Sequence, residues 1–176
     1  MQTHYARNAL LVGGRKMRIA IAADHAGFSM KEDLKAYLQE LGHDVNDLGT
    51  HDTQPVDYPK FAELVGLEIL NKKADRGILV CGSGVGVSVA ANKIPGVRCG
   101  VCHDHYSAHQ SVEHDDVNVL ALGNRVIGPA EARDLVKAFT DARFTGEERH
   151  RRRLEMVKEL ENKYSRILVS KNADQA

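Results

Sequence analysis

Residues 77–93 read GILVCGSGVGVSVAANK, and the fold turns on how that stretch divides. GILVC at 77–81 is a short apolar run that ends against glycines, the pattern of a buried strand. Gly82, Ser83, Gly84, Val85 and Gly86 make a loop too rich in glycine to continue the strand, and the small residues that follow, to about Lys93, suit a helix lying close on a sheet. Strand, glycine loop and helix form one half of a βαβ unit, so the flanking sequence decides whether the unit repeats.

It repeats on both sides. Upstream, MRIAIAA at 17–23 predicts a buried strand running into Asp24, His25, Ala26 and Gly27. Met30, Leu34, Tyr37, Leu38 and Leu41 then recur at helical spacing, with Gly42 placed to stop the turn, and 43–48 reads as a second strand. Asp57, Tyr58 and Pro59 open a helix whose Phe61, Leu64, Val65 and Ile69 share a face. Downstream, 97–101 and 118–122 predict a fourth and a fifth strand with a helix between them, followed by helices over 129–141 and 147–165. This alternation predicts a single-domain, three-layer α/β/α Rossmann-like fold with a five-stranded parallel sheet over residues 17–165. Residues 1–16, with Arg7, Arg15 and Lys16 and no acidic group, read as an N-terminal extension, and 166–176 as a C-terminal tail expected to fray.

Composition narrows the partners. The 24 Lys and Arg balance the 24 Asp and Glu, so no overall field recruits nucleic acid or an anionic membrane, and an anion-binding surface must be local. No apolar run approaches the roughly 18–20 residues that span a bilayer. Three cysteines, an odd number with no recognisable secretory leader, point to reduced thiols in the cytoplasm.

Ligands of open parallel sheets sit at the carboxyl ends of strands, which directs attention to the loops at 24–27 and 82–86. Cys81 ends its strand where loop amides and a helix start favour negative charge; a thiolate there would take a proton from carbon while the amides of residues 82–86 hold the resulting oxyanion. Ser83 adds a hydroxyl. The same residues also suit a structural thiol before a tight turn. Asp24 and His25 are placed to touch a polar ligand, although an Asp there also suits a helix cap. His114, in a helix that leads to the fifth strand, can exchange a proton near neutral pH or simply be a surface histidine. Arg149 and Arg153, one helical turn apart, and Arg125 after a glycine turn can grip a phosphate, or form a solvated basic face paired with Glu147, Glu148 and Glu155.

Two patterns are set aside. Cys99, Cys102 and His103 satisfy C-x-x-C-H, but cysteines on an apolar strand face different sides and do not suit haem attachment, and Cys99, Cys102, His105 and His109 lack finger-like spacing for zinc. Gly82, Gly84 and Gly86 are spaced G-x-G-x-G, with Val87 where a dinucleotide fingerprint has its third glycine. No metal and no cofactor is expected.

Taken together, DHAGF at 24–28, DYP at 57–59, ILVCGSGVGVSVAANK at 78–93 and NVLALGNRVIG at 118–128 resemble the ribose-5-phosphate isomerase B family, relatives of the galactose-6-phosphate isomerase subunits. The resemblance covers residues 17–164. It implies a cofactor-free aldose–ketose isomerase of ribose 5-phosphate and ribulose 5-phosphate that works through a cis-enediol. By the same resemblance Cys81 is the proton-abstracting base, residues 82–86 are the anion hole (with Ser83 where threonine is common), and His114 opens the sugar ring. Asp24 and His25 contact the sugar phosphate, Arg125, Arg149 and Arg153 hold its phosphate, and a homodimer or homotetramer shares its active sites between subunits. The chain departs from the family in following His114 with Asp115 where Asn is usual. A carboxylate cannot donate the hydrogen bond an amide would, at a cost of about 1–3 kcal/mol, which leaves tetrose, allose 6-phosphate or galactose 6-phosphate type substrates as alternatives. A non-catalytic sugar-phosphate binder would keep the arginines and glycines without needing Cys81 or His114, and a requirement for a paralogous subunit is a third possibility.

Overall fold

The structure, a computed structural model, describes residues 15–173, with side chains through residue 165; most of the expected N-terminal extension lies outside the described residues. The elements follow in the order β1 (Arg18–Ala23), α1 (Phe28–Glu40), β2 (Asp44–Asp47), α2 (Tyr58–Leu70), β3 (Arg76–Cys81), α3 (Val85–Ala91), β4 (Cys99–Val101), α4 (His105–Asp115), β5 (Val119–Gly123), α5 (Pro129–Asp141) and α6 (Glu148–Ala173). Every strand pairing is parallel, in the order β2-β1-β3-β5-β4, so the expected five-stranded parallel sheet is present.

Period-two alternation sorts the strand residues between two helical layers. Ile19, Ile21, Ile78, Val80, Leu120 and Leu122 face α1, α4 and α5, and each is fully buried. Ala20, Ala22, Leu79, Cys81, Val119 and Ala121 face α2 and α3. At about 1.5–3 kcal/mol for each large aliphatic taken out of water, the first face carries most of the sheet's hydrophobic stabilisation. The second is lined by smaller side chains, which lets the small-residue helix α3 lie close and brings the loop before it against the end of β3.

Two boundaries differ from the sequence expectation. β4 pairs only from Cys99, because the Arg98 amide donates to the Asn118 side chain at 2.8 Å instead of to a strand carbonyl. α6 continues to Ala173, through most of the stretch expected to fray.

The apolar periodicity of α1 also missed one buried position. Lys31 is fully buried, its ammonium 2.7 Å from both carboxylate oxygens of Asp47 and 2.6 Å from Glu32, while Lys35 reaches Asp47 at 2.8 Å. Burial alone would raise the Asp47 pKa, but hydrogen bonds from Lys31, Lys35 and the Gly49 amide outweigh it and hold the carboxyl at about 2. Because the unfolded chain binds this proton more readily, the stabilisation is complete above the ordinary carboxylate pKa and is lost as pH falls through about 2. The expected loss is about 2 kcal/mol. Urea titrations at pH 4.5 and pH 2.5, which span most of that window, should show the wild type losing about 1.5 kcal/mol more stability over the interval than Asp47→Asn, and parallel losses would refute the assignment.

Candidate active site

The chain leaves β1 for β2 on one side and returns to β3 on the other, so the β1 and β3 carboxyl ends form a switch-point crevice. Asp24, His25, Cys81, Gly82, Ser83, Gly86 and Arg125 line one open cleft there, together with Tyr58 and Val126.

Each loop is built to leave a group facing the cleft. One Asp24 carboxylate oxygen accepts from the amides of Ala26 and Gly27 at 2.9 and 3.0 Å, closing the turn, while the residue still borders the cleft. The alternative reading as a cap is therefore partly met, although α1 itself is capped at Gly27 without a side chain. His25 Nδ1 accepts from the Val56 amide at 3.2 Å, so the neutral ring carries its proton on Nε2 and has a free N–H to offer. Gly27 lets the start of α1 meet β3, since a Cβ there would sit 2.4 Å from the Val80 carbonyl oxygen.

Cys81 is 5% exposed. Gly84 takes the left-handed conformation, φ +79°, which turns its N–H onto Cys81 Sγ at 3.1 Å. The sulfur thus has a main-chain donor from the glycine loop as its hydrogen-bond partner. Val85 begins α3 with its amide 3.3 Å from Ser83 Oγ.

The opposite wall comes from the loop after β5. Asn124 and Arg125 amides donate to the Cys81 and Gly82 carbonyls at 2.9 and 3.0 Å, and the Arg125 side chain lies over Gly82. Asn124 Nδ2 also donates to the Ala26 carbonyl at 2.8 Å, so this loop ties both cleft loops together. Gly123 makes the approach possible, because a Cβ on it would come within 2.7 Å of the Ser83 main chain.

The other expected site residues stand elsewhere. None of His114, Asp115, Arg149 and Arg153 borders the Cys81 cleft. His114 lies in the last turn of α4 with Nδ1 2.7 Å from Gln110 Nε2, and its ring centroid is 4.1 Å from that of His150. Asp115 and Arg153 are exposed, and Arg149 pairs with Glu147 at 2.9 Å. The residues singled out from the sequence thus fall into two groups that one copy of the chain keeps apart.

Tyr58 and Asn124 were not singled out from sequence as site residues. The signal for Tyr58 was its place beside Pro59 at a helix start; its ring packs on Gly86, where a Cβ would meet it at 3.1 Å. The cysteines set aside for haem and zinc face opposite layers, Cys99 toward α2 and α3 and Cys102 toward α1 and α4. Burial pushes the Cys99 thiol up to about 12 and raises that of Cys102. His105 and His109 pair with Asp134 and Glu113.

A thiol under a backbone donor and an arginine side chain thus line one switch-point cleft, groups able to exchange a proton and to hold an anion, and similarity to known proteins gives the chain a class. Residues 19–157 match the Ribose/Galactose Isomerase family, and the chain belongs to it. It is a sugar phosphate isomerase. Ribose-5-phosphate isomerase B of Escherichia coli is 43% identical over 146 residues, 83% of this chain and 97% of that protein. D-erythrulose-4-phosphate isomerase of Pectobacterium atrosepticum is 41% identical over 132 residues, 74% and 86% of the two chains. The solved structure of Clostridium thermocellum ribose-5-phosphate isomerase B superposes with a TM-score of 0.82 at 44% identity, covering 84% of this chain and 99% of that one.

Proposed function

We propose that this chain interconverts ribose 5-phosphate and ribulose 5-phosphate through a cis-enediolate, in the cytoplasm and without metal or cofactor. The observation that carries the reading is Cys81 Sγ under the Gly84 N–H in the cleft that Arg125 overlooks. Cys81 as thiolate takes the proton from C2 of the open-chain aldose, and the C2–H electron pair becomes the C1–C2 double bond as O1 takes up charge. Passage of the O2 proton to O1 shifts the charge to O2, and as the O2 lone pair closes the C2=O bond the thiol returns its proton to C1, which gives the ketose and restores the thiolate. The amides of residues 82–86 and the Ser83 hydroxyl are placed for the enediolate oxygens. Asp24 and the His25 Nε2–H are placed for the sugar phosphate, and Arg125, Arg149 and Arg153 for its phosphate. With the Gln110 amide donating to Nδ1, the neutral His114 ring carries its proton on Nε2, ready to protonate the ring oxygen as the furanose opens.

His114, Arg149 and Arg153 stand outside the Cys81 cleft, so the reading requires a second copy of the chain to bring them in, as a homodimer or homotetramer. This favours a shared site over a paralogous partner, because each copy carries both halves.

Asp115 bears on the choice of sugar. The Pectobacterium relative, named for a four-carbon substrate, makes a tetrose phosphate the specific rival. Turnover of four-, five- and six-carbon aldose phosphates by the purified chain, with EDTA present, tests the proposal. Ribose 5-phosphate is expected to be the best substrate, with Asp115→Asn raising its kcat/KM by about tenfold, as restoring one donor predicts. Turnover confined to erythrose 4-phosphate or a hexose phosphate would move the substrate assignment, and no turnover of any of them would sink the isomerase mechanism proposed here.

A further inference from the structure

The basic run at 149–153 contains one residue that behaves unlike its neighbours. Arg149, Arg151, Arg152 and Arg153 are exposed, whereas His150 between them is 1% exposed, the most buried titratable side chain of the described residues after Lys31. Its Nδ1 lies 2.9 Å from Thr145 Oγ1. Thr145 in turn is latched to α4: its amide reaches the Glu113 carbonyl at 3.0 Å, and its hydroxyl donates to the same oxygen at 3.2 Å. A hydroxyl has one proton: given to Glu113 it leaves the oxygen to accept from His150 Nδ1–H, and turned to His150 it meets a bare Nδ1, so in either case the contact fixes one ring orientation.

Glu113 immediately precedes His114. The chain Glu113 carbonyl, Thr145 hydroxyl, His150 imidazole thus starts beside His114 and returns to it, because the fixed His150 ring lies against the His114 ring with 42° between their planes. Among the described residues the one side-chain hydrogen bond of His114 is to Gln110, one turn earlier on the same helix, so the ring contact with His150 is its other restraint. If this contact served only to close the α4–α6 junction, an apolar ring would do so without the cost of desolvating two ring nitrogens.

We propose that His150 is a positioning residue for ring opening: anchored by Thr145, it holds the His114 imidazole at the angle from which Nε2 meets the sugar's ring oxygen. The inference rests on the ring-opening role of His114 given above. Removing His150 leaves His114 free to rotate about its side-chain bonds, so proton delivery slows while phosphate binding through the arginines is kept.

The test uses the full chain with ribose 5-phosphate. His150→Phe is expected to lower kcat by about tenfold, the order that misaligning a single proton-transfer group predicts, with KM within about twofold. The loss should vanish in a His114→Ala background, since a ring that is gone cannot be misaligned. Thr145→Val, an exposed isosteric change that keeps the His150 ring, should reproduce a smaller part of the kcat loss and guards against a His150→Phe chain that fails to fold. Long-range 1H–15N spectra of the ring nitrogens give a readout independent of turnover: His150 held in a single tautomer, and His114 signals that move in Thr145→Val. Equal kcat losses with and without His114, or His114 signals that stay in place in Thr145→Val, would overturn the inference. His114→Ala with full ribose 5-phosphate activity would instead remove the ring-opening reading on which it stands.

Discussion

Cys81→Ala is expected to lower turnover of ribose 5-phosphate by about three orders of magnitude or more, at the upper end of what loss of a positioned acid–base group costs. The fold should survive, because the substitution keeps the Cβ that packs among Ala20, Ala22 and Val87 and removes only a sulfur whose polar contact is the Gly84 amide. The buried Gly84 amide loses its partner with the sulfur, at a cost of about 1–3 kcal/mol, which lowers stability without removing the core contacts that make the fold. Near-native circular dichroism, melting lower by a few degrees and turnover near background are the expected results. Activity within tenfold of wild type would remove Cys81 as the base.

The same variant reports on the second copy. Mixed and reassembled with His114→Ala, Cys81→Ala should regain about a quarter of wild-type activity, since random pairing makes half the dimers mixed and each mixed dimer rebuilds one of its two sites. No recovery would mean that Cys81 and His114 act within one chain.

Gly27→Ala is expected to be the most damaging single methyl added near the cleft. The new carbon would lie 2.4 Å from the Val80 oxygen, 2.6 Å from the Val80 carbon and 3.0 Å from the Cys81 nitrogen, all main-chain atoms in the middle of the sheet. Neither side can yield without moving α1 or the end of β3. The cost should be about 3 kcal/mol or more, at the top of the overpacking range. That corresponds to a melting temperature lower by roughly 6–12 °C for a chain of this size. Gly82→Ala is the control, since its Cβ would meet only the flexible Arg125 side chain at 3.6 Å. If Gly27→Ala melts as the wild type does, the close approach of α1 to β3 is not the constraint argued here.

How far the sequence reveals this molecule depends on whether a feature is local. α5 runs over Pro129–Asp141, the span expected, because a proline start and helical periodicity mark it without outside help. The loops after β1 and β3 were legible for the same reason, with glycines abutting short apolar runs. Strand order was not, since which strands neighbour one another depends on packing between distant elements. Asn124 escaped notice because its role is a hydrogen bond to Ala26, 98 residues away. Lys31 and His150 were hidden in a different way: both are polar residues in polar surroundings of the sequence, and only the approach of β2 to α1, or of α6 to α4, encloses them. The distance of His114 from Cys81 within one chain was not legible in the motifs themselves, because it depends on where the end of α4 lies relative to the end of β3.

The donor to Cys81 belongs to the main chain of Gly84, and the cradle proposed for the enediolate is likewise made largely of amides. A conventional alanine scan would pass over that part of the site, since no side-chain truncation deletes an N–H, and at residue 84 the left-handed backbone would make any replacement report strain instead of chemistry. Only exchange of single amides for esters, which swaps one N–H for an oxygen and leaves every side chain in place, would measure how much of the rate this protein draws from its backbone.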